Sequence, residues 1–238
     1  MAKRQKSLVR EYTETLVFAV LLFVIIRTDV VQAFRIPSGS MEDTLLVGDF
    51  LLVNKFIYGP VIPGTDIKLP GIRDPQPGDV IVFPHPEDKS SPMDFIKRCV
   101  AVEGQVVEVR DKVVYVDSLR VENPVYSKHT DTFIYSEKQG LRDNMRQKVV
   151  GKDKLFVMGD NRDESNDSRF WGFVDKNTVK GQAFIIYWSW EQQPGDPILD
   201  WSWSQPVESF TSLARVVGYN VIHTPWRVRW NRIARLIE

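Results

Sequence analysis

Thiols are almost missing from this 238-residue chain, in which Cys99 is the only cysteine. That excludes an internal disulfide and any metal site built from several thiolates. Histidine is nearly as scarce. His85, His129 and His223 each sit in a loop-like or proline-flanked context, so a serine–histidine–aspartate triad finds no support. Net charge is lacking too: 31 basic residues against 31 acidic ones leave no global field to attract nucleic acid, and partners must be read from local features. The one unbroken apolar run, residues 16–26, is shorter than the roughly 20 residues that span a bilayer.

What is present favours a packed β fold. Hydrophobic residues make up 43% of the chain, enough for a full core and too many for a disordered segment. Fourteen prolines and fourteen glycines spread between short β-branched runs imply many turns and a mainly β architecture of one sizeable domain, with room for a sub-domain and an appendage.

The amino end carries Lys3, Arg4, Lys6 and Arg10 ahead of the apolar run. Two readings compete. A basic start, an apolar middle and Val31-Gln32-Ala33 resemble a cleavable secretory signal. Counting the flanks instead gives a transmembrane anchor over residues 12–34, with Arg27 and Asp29 near the far interface. In either case residues 1–11 stay cytoplasmic and residues 35–238 face the extracytoplasmic side, because basic residues are retained inside.

Ile36-Pro37-Ser38-Gly39-Ser40-Met41 follows, two hydroxyls straddling a glycine behind a φ-fixing proline. Alone it is as compatible with a solvated turn as with a presented nucleophile. Apolar strands are expected around a Gly48-Asp49 turn, through residues 50–56, and over residues 80–83 after a long Pro/Gly loop. In Phe95-Ile96-Lys97-Arg98-Cys99-Val100-Ala101-Val102, strand alternation puts Lys97 on one face with Phe95, Cys99 and Ala101, in apolar company; a strand-end lysine reaching solvent is the alternative. Residues 106–121 read as a hairpin about Arg110-Asp111-Lys112.

A short strand over residues 155–158 leads into Gly159-Asp160-Asn161-Arg162-Asp163-Glu164-Ser165-Asn166-Asp167-Ser168-Arg169-Phe170-Trp171-Gly172. As a calcium loop it fails, since the sixth position counted from Asp163 is Ser168 rather than glycine and the twelfth is Val174 rather than glutamate. Its acid–base alternation suits a folded loop whose charges pair internally. Beyond a last strand at residues 183–190, Phe210, Leu213, Ala214, Val217 and Val221 recur at helical spacing. Trp226, Arg227, Arg229, Trp230, Arg232 and Arg235 close the chain, a composition that suits either a membrane interface or completion of the core.

With no histidine base in view, a lysine that loses its proton through burial could activate Ser40, and Lys97 is the best-placed candidate. Ser165 could orient the amine. At this point residues 36–56, 78–83, 95–102 and 159–172 together resemble, in order and spacing, the motifs of bacterial type I signal peptidases. The resemblance implies a membrane-bound serine endopeptidase that removes signal peptides from exported precursors after small residues, with a largely antiparallel β domain of coiled sheets related to that of self-cleaving repressors, behind one transmembrane helix. Carried over position by position, it makes Ser40 the nucleophile and Lys97 the general base. Ser38 and the Ser40 N–H form the oxyanion hole, Ser165 holds Lys97, and Asp167 with Arg169 forms a structural ion pair. Substrate pockets fall on Phe34, Ile36, Met41, Leu45, Val82, Phe95 and Ile96. It implies no cofactor, metal or nucleic acid; the partners are signal-peptide-bearing precursors and membrane lipid, around a monomer in the bacterial plasma membrane.

Three departures from the family pattern stand out. Glu42-Asp43-Thr44 occupies the place where proline commonly precedes the threonine, only one apolar span precedes the serine, and residues 191–225 have no counterpart. Residues 103–150 are expected to form an inserted sub-domain. A self-cleaving repressor would need an amino-terminal DNA-binding unit where this chain has an apolar run, and a tethered β binding module would make Ser40 a mere turn.

Overall fold

A computed structural model describes residues 12–18, 31–60, 65, 67–86, 93–197 and 206–237. Among them, β-strands dominate. β1 (Val31–Arg35), β2 (Asp49–Asn54), β3 (Val80–Pro84), β4 (Asp94–Val102), β9 (Lys154–Met158), β10 (Val174–Asp175), β11 (Gly181–Ser189) and β12 (Arg235–Leu236) form one antiparallel sheet. Its order is β1-β2-β11-β3-β4-β9-β10, with β12 on β11. β5 (Val106–Arg110), β6 (Val113–Val116), β7 (Leu119–Arg120) and β8 (Met145–Val149) form a second sheet in the order β7-β6-β5-β8. The β5–β6 turn falls on Asp111 and Lys112, both with positive φ (48° and 69°), the geometry that lets a tight hairpin follow the strand twist.

The strands form where β-branched residues alternate, and their inward faces fill three apolar clusters. Ile36, Met41, Leu45, Leu51, Val53, Val80, Val82, Ala183 and Ile186 form the one beneath the Ser40 turn. Met41 and Leu45 are fully buried there, and burying a side chain of that size stabilises by about 1.5–3 kcal/mol. A second cluster, including Val107, Val114, Met145, Phe156 and Met158, joins the two sheets.

Two boundaries differ from the sequence reading. Val31–Phe34, assigned above to the membrane anchor, pair with β2 in register from Val31↔Asn54 to Phe34↔Leu51, so the strand ladder claims their backbone groups. Residues 12–18 are helical, while residues 19–30, the rest of the expected span, lie outside the described residues. No described helix is long and apolar enough to cross a membrane. The unassigned stretch 191–225 runs into helix α2 (Pro206–Arg227), and a single helical turn, α1 (Ser168–Trp171), follows the 159–167 loop.

The carboxyl-terminal segment folds back to the start of β2. Arg232, buried, donates from its Nη2 to Asp49 Oδ2 (2.6 Å) and to the Thr44 carbonyl (2.9 Å), and Ser189 Oγ donates to Asp49 Oδ1 (2.6 Å). The carboxylate of Asp49, wholly buried, also accepts the Leu46 N–H (2.8 Å). The loop carrying Ser40 is thereby tied at its far end to the end of β11 and to the turn that precedes β12.

Candidate active site

Ser40 lies in a single 3-10 turn, Gly39–Met41, between β1 and β2. Proline at position 37 stiffens the entry and Ser38 is extended (φ −134°, ψ 158°), so the chain turns only at Gly39. The turn sits beside β4 where β9 leaves it: the β4–β9 ladder ends at Arg98↔Met158, and Gly159 takes the chain past Ser40. There Lys97 Nζ lies 2.6 Å from Ser40 Oγ. Lys97 is only 5% exposed and lies against the Phe95 ring (5.6 Å to its centroid). Burial pushes its pKa down to about 8, against the opposing pull of Asp167. A group that gives up its proton so close to neutrality can act as a base.

The other candidate residues fall as follows. Ser38 is exposed at the mouth of the turn. Asp167 and Arg169 form a bidentate, fully buried pair, Nε to Oδ1 and Nη2 to Oδ2 both at 2.8 Å. Asp167 also accepts the Gly159 N–H (3.0 Å), and Arg169 donates to the carbonyls of Arg142 and Arg162. Ser165 is buried close to Gly159 and Ser40, but its Oγ has no hydrogen-bond partner, so the bond to Lys97 implied above is not formed here. Phe34, Ile36, Met41, Leu45, Val82 and Ile96 share the cluster beneath the turn. Phe95 departs from that group. It packs in a separate cluster against Phe83 and His85, with ring centroids 6.3 and 4.7 Å away, because strand alternation turns it from Ile96.

Histidine takes no visible part: His129 meets Asp163 and His223 stacks on Tyr219. Cys99 is buried, which pushes its thiol up to about 12 and keeps it inert.

Sequence reasoning missed the scaffold around the pair. Arg98, next to the lysine, grips Asp160 through two hydrogen bonds (2.9 and 2.7 Å), and Thr44 Oγ1 donates to the same carboxylate (2.6 Å). Asn161 donates from its main-chain N–H to the Ser40 carbonyl and from Nδ2 to the Gly39 carbonyl, both at 3.1 Å. Asp163 receives His129, Lys112 and two main-chain N–H groups. Burial alone would raise its carboxyl, but the hydrogen bonds from His129 and Lys112 outweigh that and hold it well below the usual range. The Gly-Asp-Asn-Arg-Asp run was the available signal, since consecutive charges in a buried loop require partners. Asp43 answers the missing proline: its φ is 73°, an angle closed to proline, so this chain turns after the nucleophile in its own way.

A hydroxyl held against a buried amine on an antiparallel sheet is an arrangement in which the amine can take the hydroxyl's proton, the chemistry a serine hydrolase uses. Residues 9–188 match the family model for signal peptidase, peptidase S26. The chain is similar to signal peptidase I of Pseudomonas aeruginosa, 35% identical with 78% of this chain and 75% of that protein covered. It is likewise similar to signal peptidase I of Aquifex aeolicus, 34% identical over 76% and 84% of the two chains. The chain belongs to the signal peptidase family S26, whose members are serine peptidases that cleave signal peptides and are membrane-anchored in bacteria. The family match ends within β11, so α2 and the carboxyl-terminal segment lie beyond it.

Proposed function

We propose that this chain is a membrane-anchored endopeptidase that removes signal peptides from exported precursors after small residues, using Ser40 as nucleophile and Lys97 as base. The observation that carries this reading is the buried Lys97 amine 2.6 Å from Ser40 Oγ. Neutral Lys97 takes the Ser40 proton as Oγ attacks the scissile carbonyl carbon, and the oxyanion is held by the Ser40 N–H and the Ser38 hydroxyl. The protonated amine then gives its proton to the departing amine, leaving an ester on Ser40. Water, deprotonated in turn by Lys97, hydrolyses that ester and restores both groups. Ser165 orients the amine, and the Asp167–Arg169 pair keeps the loop in place.

An extended substrate added along β4 near Ile96, beyond the end of the β4–β9 ladder, would offer alternate side chains to the apolar cluster under the turn. The anchor lies ahead of β1, the amino end is cytoplasmic and the enzyme is a monomer whose β5–β8 sheet is an inserted sub-domain. Membrane lipid is the second partner. α2 supports this, because Val207, Phe210, Val217, Val221, Ile222 and Trp226 are exposed on a helix whose other side is turned inward.

The test is cleavage of a secretory precursor by the purified chain, with the new amino terminus sequenced. Wild type should cut at one site after a small residue while Ser40→Ala and Lys97→Arg leave the precursor intact. Turnover by either variant would refute the pair.

A further inference from the structure

The segment that follows Ser40 is held from outside. Asp43 has a left-handed backbone (φ 73°), a conformation that costs free energy for any residue with a β-carbon. Beside it Glu42 brings a second carboxylate, and both are about half exposed. Two neighbouring carboxylates on a strained turn repel one another, so the arrangement needs a cation.

Lys128 supplies it. Its Nζ lies 3.0 Å from Glu42 Oε2 and 3.1 Å from Asp43 Oδ2. It reaches them from the loop between β7 and β8, and its own backbone is fixed: the N–H donates to the Asp160 carbonyl and the carbonyl accepts the Arg162 N–H, both at 2.9 Å. That places Lys128 in a parallel bridge with Asn161, the residue whose N–H and Nδ2 hold the carbonyls of Ser40 and Gly39. Asn161 Nδ2 also approaches Glu42 Oε2 (3.4 Å). Two routes therefore run from Lys128 to one turn, one through the Asn161 backbone and one through its ammonium. The hydrogen bond that Lys128 donates to Glu42 raises the Lys128 pKa, which keeps the bridge cationic across the working range of Lys97.

We propose that Lys128 is a positioning residue for the nucleophile: by bridging Glu42 and Asp43 it fixes the turn that aims the Ser40 hydroxyl and N–H at the scissile carbonyl. This rests on Ser40 being the nucleophile. The bridge connects through Asn161 to the Gly39 and Ser40 carbonyls and its own side chains lie outside the apolar cluster, so it acts on the chemical step more than on binding.

The experiment compares wild type, Lys128→Met and Lys128→Arg on one fluorogenic precursor peptide, with Ser40→Ala and Lys97→Arg alongside. Lys128→Met should lower kcat by about two- to fivefold with KM moving less than about 1.5-fold, the size expected for a half-exposed bridge. Lys128→Arg should restore most of it. Raising salt from about 0.05 to 1 M should lower wild-type kcat and leave Lys128→Met flat, since exposed pairs are screened. Glu42→Gln/Asp43→Asn removes the same bridge without touching the loop, and should match Lys128→Met in both rate and salt response. If Ser40→Ala or Lys97→Arg turns over, the assignment of the pair fails whatever Lys128 does. If both are dead while Lys128→Met and Glu42→Gln/Asp43→Asn keep wild-type kcat, or if arginine fails to restore it, the positioning role is overturned.

Discussion

Gly159 passes directly against Ser40: a β-carbon on Gly159 would run into the Ser40 carbonyl oxygen and the Ser165 side chain. The strand that brings the polar loop to the site can approach Ser40 only because this position carries no side chain. Gly159→Ala should therefore lower the melting temperature and the cleavage rate together, by about 1–3 kcal/mol in stability as for other overpacked sites. Wild-type melting and turnover in this variant would show that the turn and the loop do not meet as described.

The second prediction concerns Lys97, whose pKa is lowered from 10.5 to about 8 by burial. As the proposed base Lys97 acts in its neutral form, so cleavage should rise with pH through about 8. The stability effect has its own sign. Between about 8 and 10.5 the unfolded chain binds a proton that the folded chain has released, so stability rises with pH in that window and is lowest below it. Lys97→Met should be inactive yet melt higher than wild type at neutral pH, by roughly 3 kcal/mol, with the gap closing above about pH 10. A gap independent of pH would place the depressed group elsewhere.

Asp167→Ala should behave in the opposite way. It leaves the Arg169 guanidinium buried without its carboxylate, which costs about 3–5 kcal/mol. Adding Arg169→Met should recover part of that loss. Thermal melts of the two variants decide it, and an unchanged melting temperature in Asp167→Ala would remove the structural role from the pair.

Ser165→Ala separates orientation from stability. The Ser165 hydroxyl is buried and unbonded, so deleting it should leave stability unchanged or raise it by up to about 1 kcal/mol. If the hydroxyl turns to the amine during the reaction, kcat should nevertheless fall by about tenfold or more. Equal kcat in Ser165→Ala and wild type would dismiss it as an orienting group.

A probe on α2 tests the lipid contact. Cys99 is buried and resists labelling, so Val217→Cys and Asn220→Cys can each carry an environment-sensitive fluorophore on the chain reconstituted in vesicles. The Val217 probe should shift to shorter wavelength and escape aqueous iodide, while the probe at Asn220 stays accessible. Equal quenching at both positions would leave the helix in water.

Much of this arrangement was legible before the fold was known. Alternation around Lys97 puts it in apolar company, but the internal pairing expected of residues 159–172 holds only for Asp167 with Arg169, whereas Asp160 and Asp163 turn to Arg98, Lys112 and His129 outside the loop. What escaped was long-range or conformational. The Arg98–Asp160–Thr44 cluster joins residues far apart in sequence, and hydrogen bonds between distant side chains leave no periodic trace. The left-handed turn at Asp43 cannot be told from an extended one by residue type alone, since aspartate tolerates both. Residues 31–34 read as the end of the anchor in sequence because an apolar strand and the end of an apolar helix share their composition, and only the ladder to β2 distinguishes them.

The clasp of Arg232 on Asp49 and on the Thr44 carbonyl makes the Ser40 loop depend on a residue remote from it in sequence. A chain that lacks Arg232 keeps Ser40 and Lys97 but loses the far tether of the loop that presents the serine. Damage to the loop and loss of a side chain from the pair are therefore separable events in this fold.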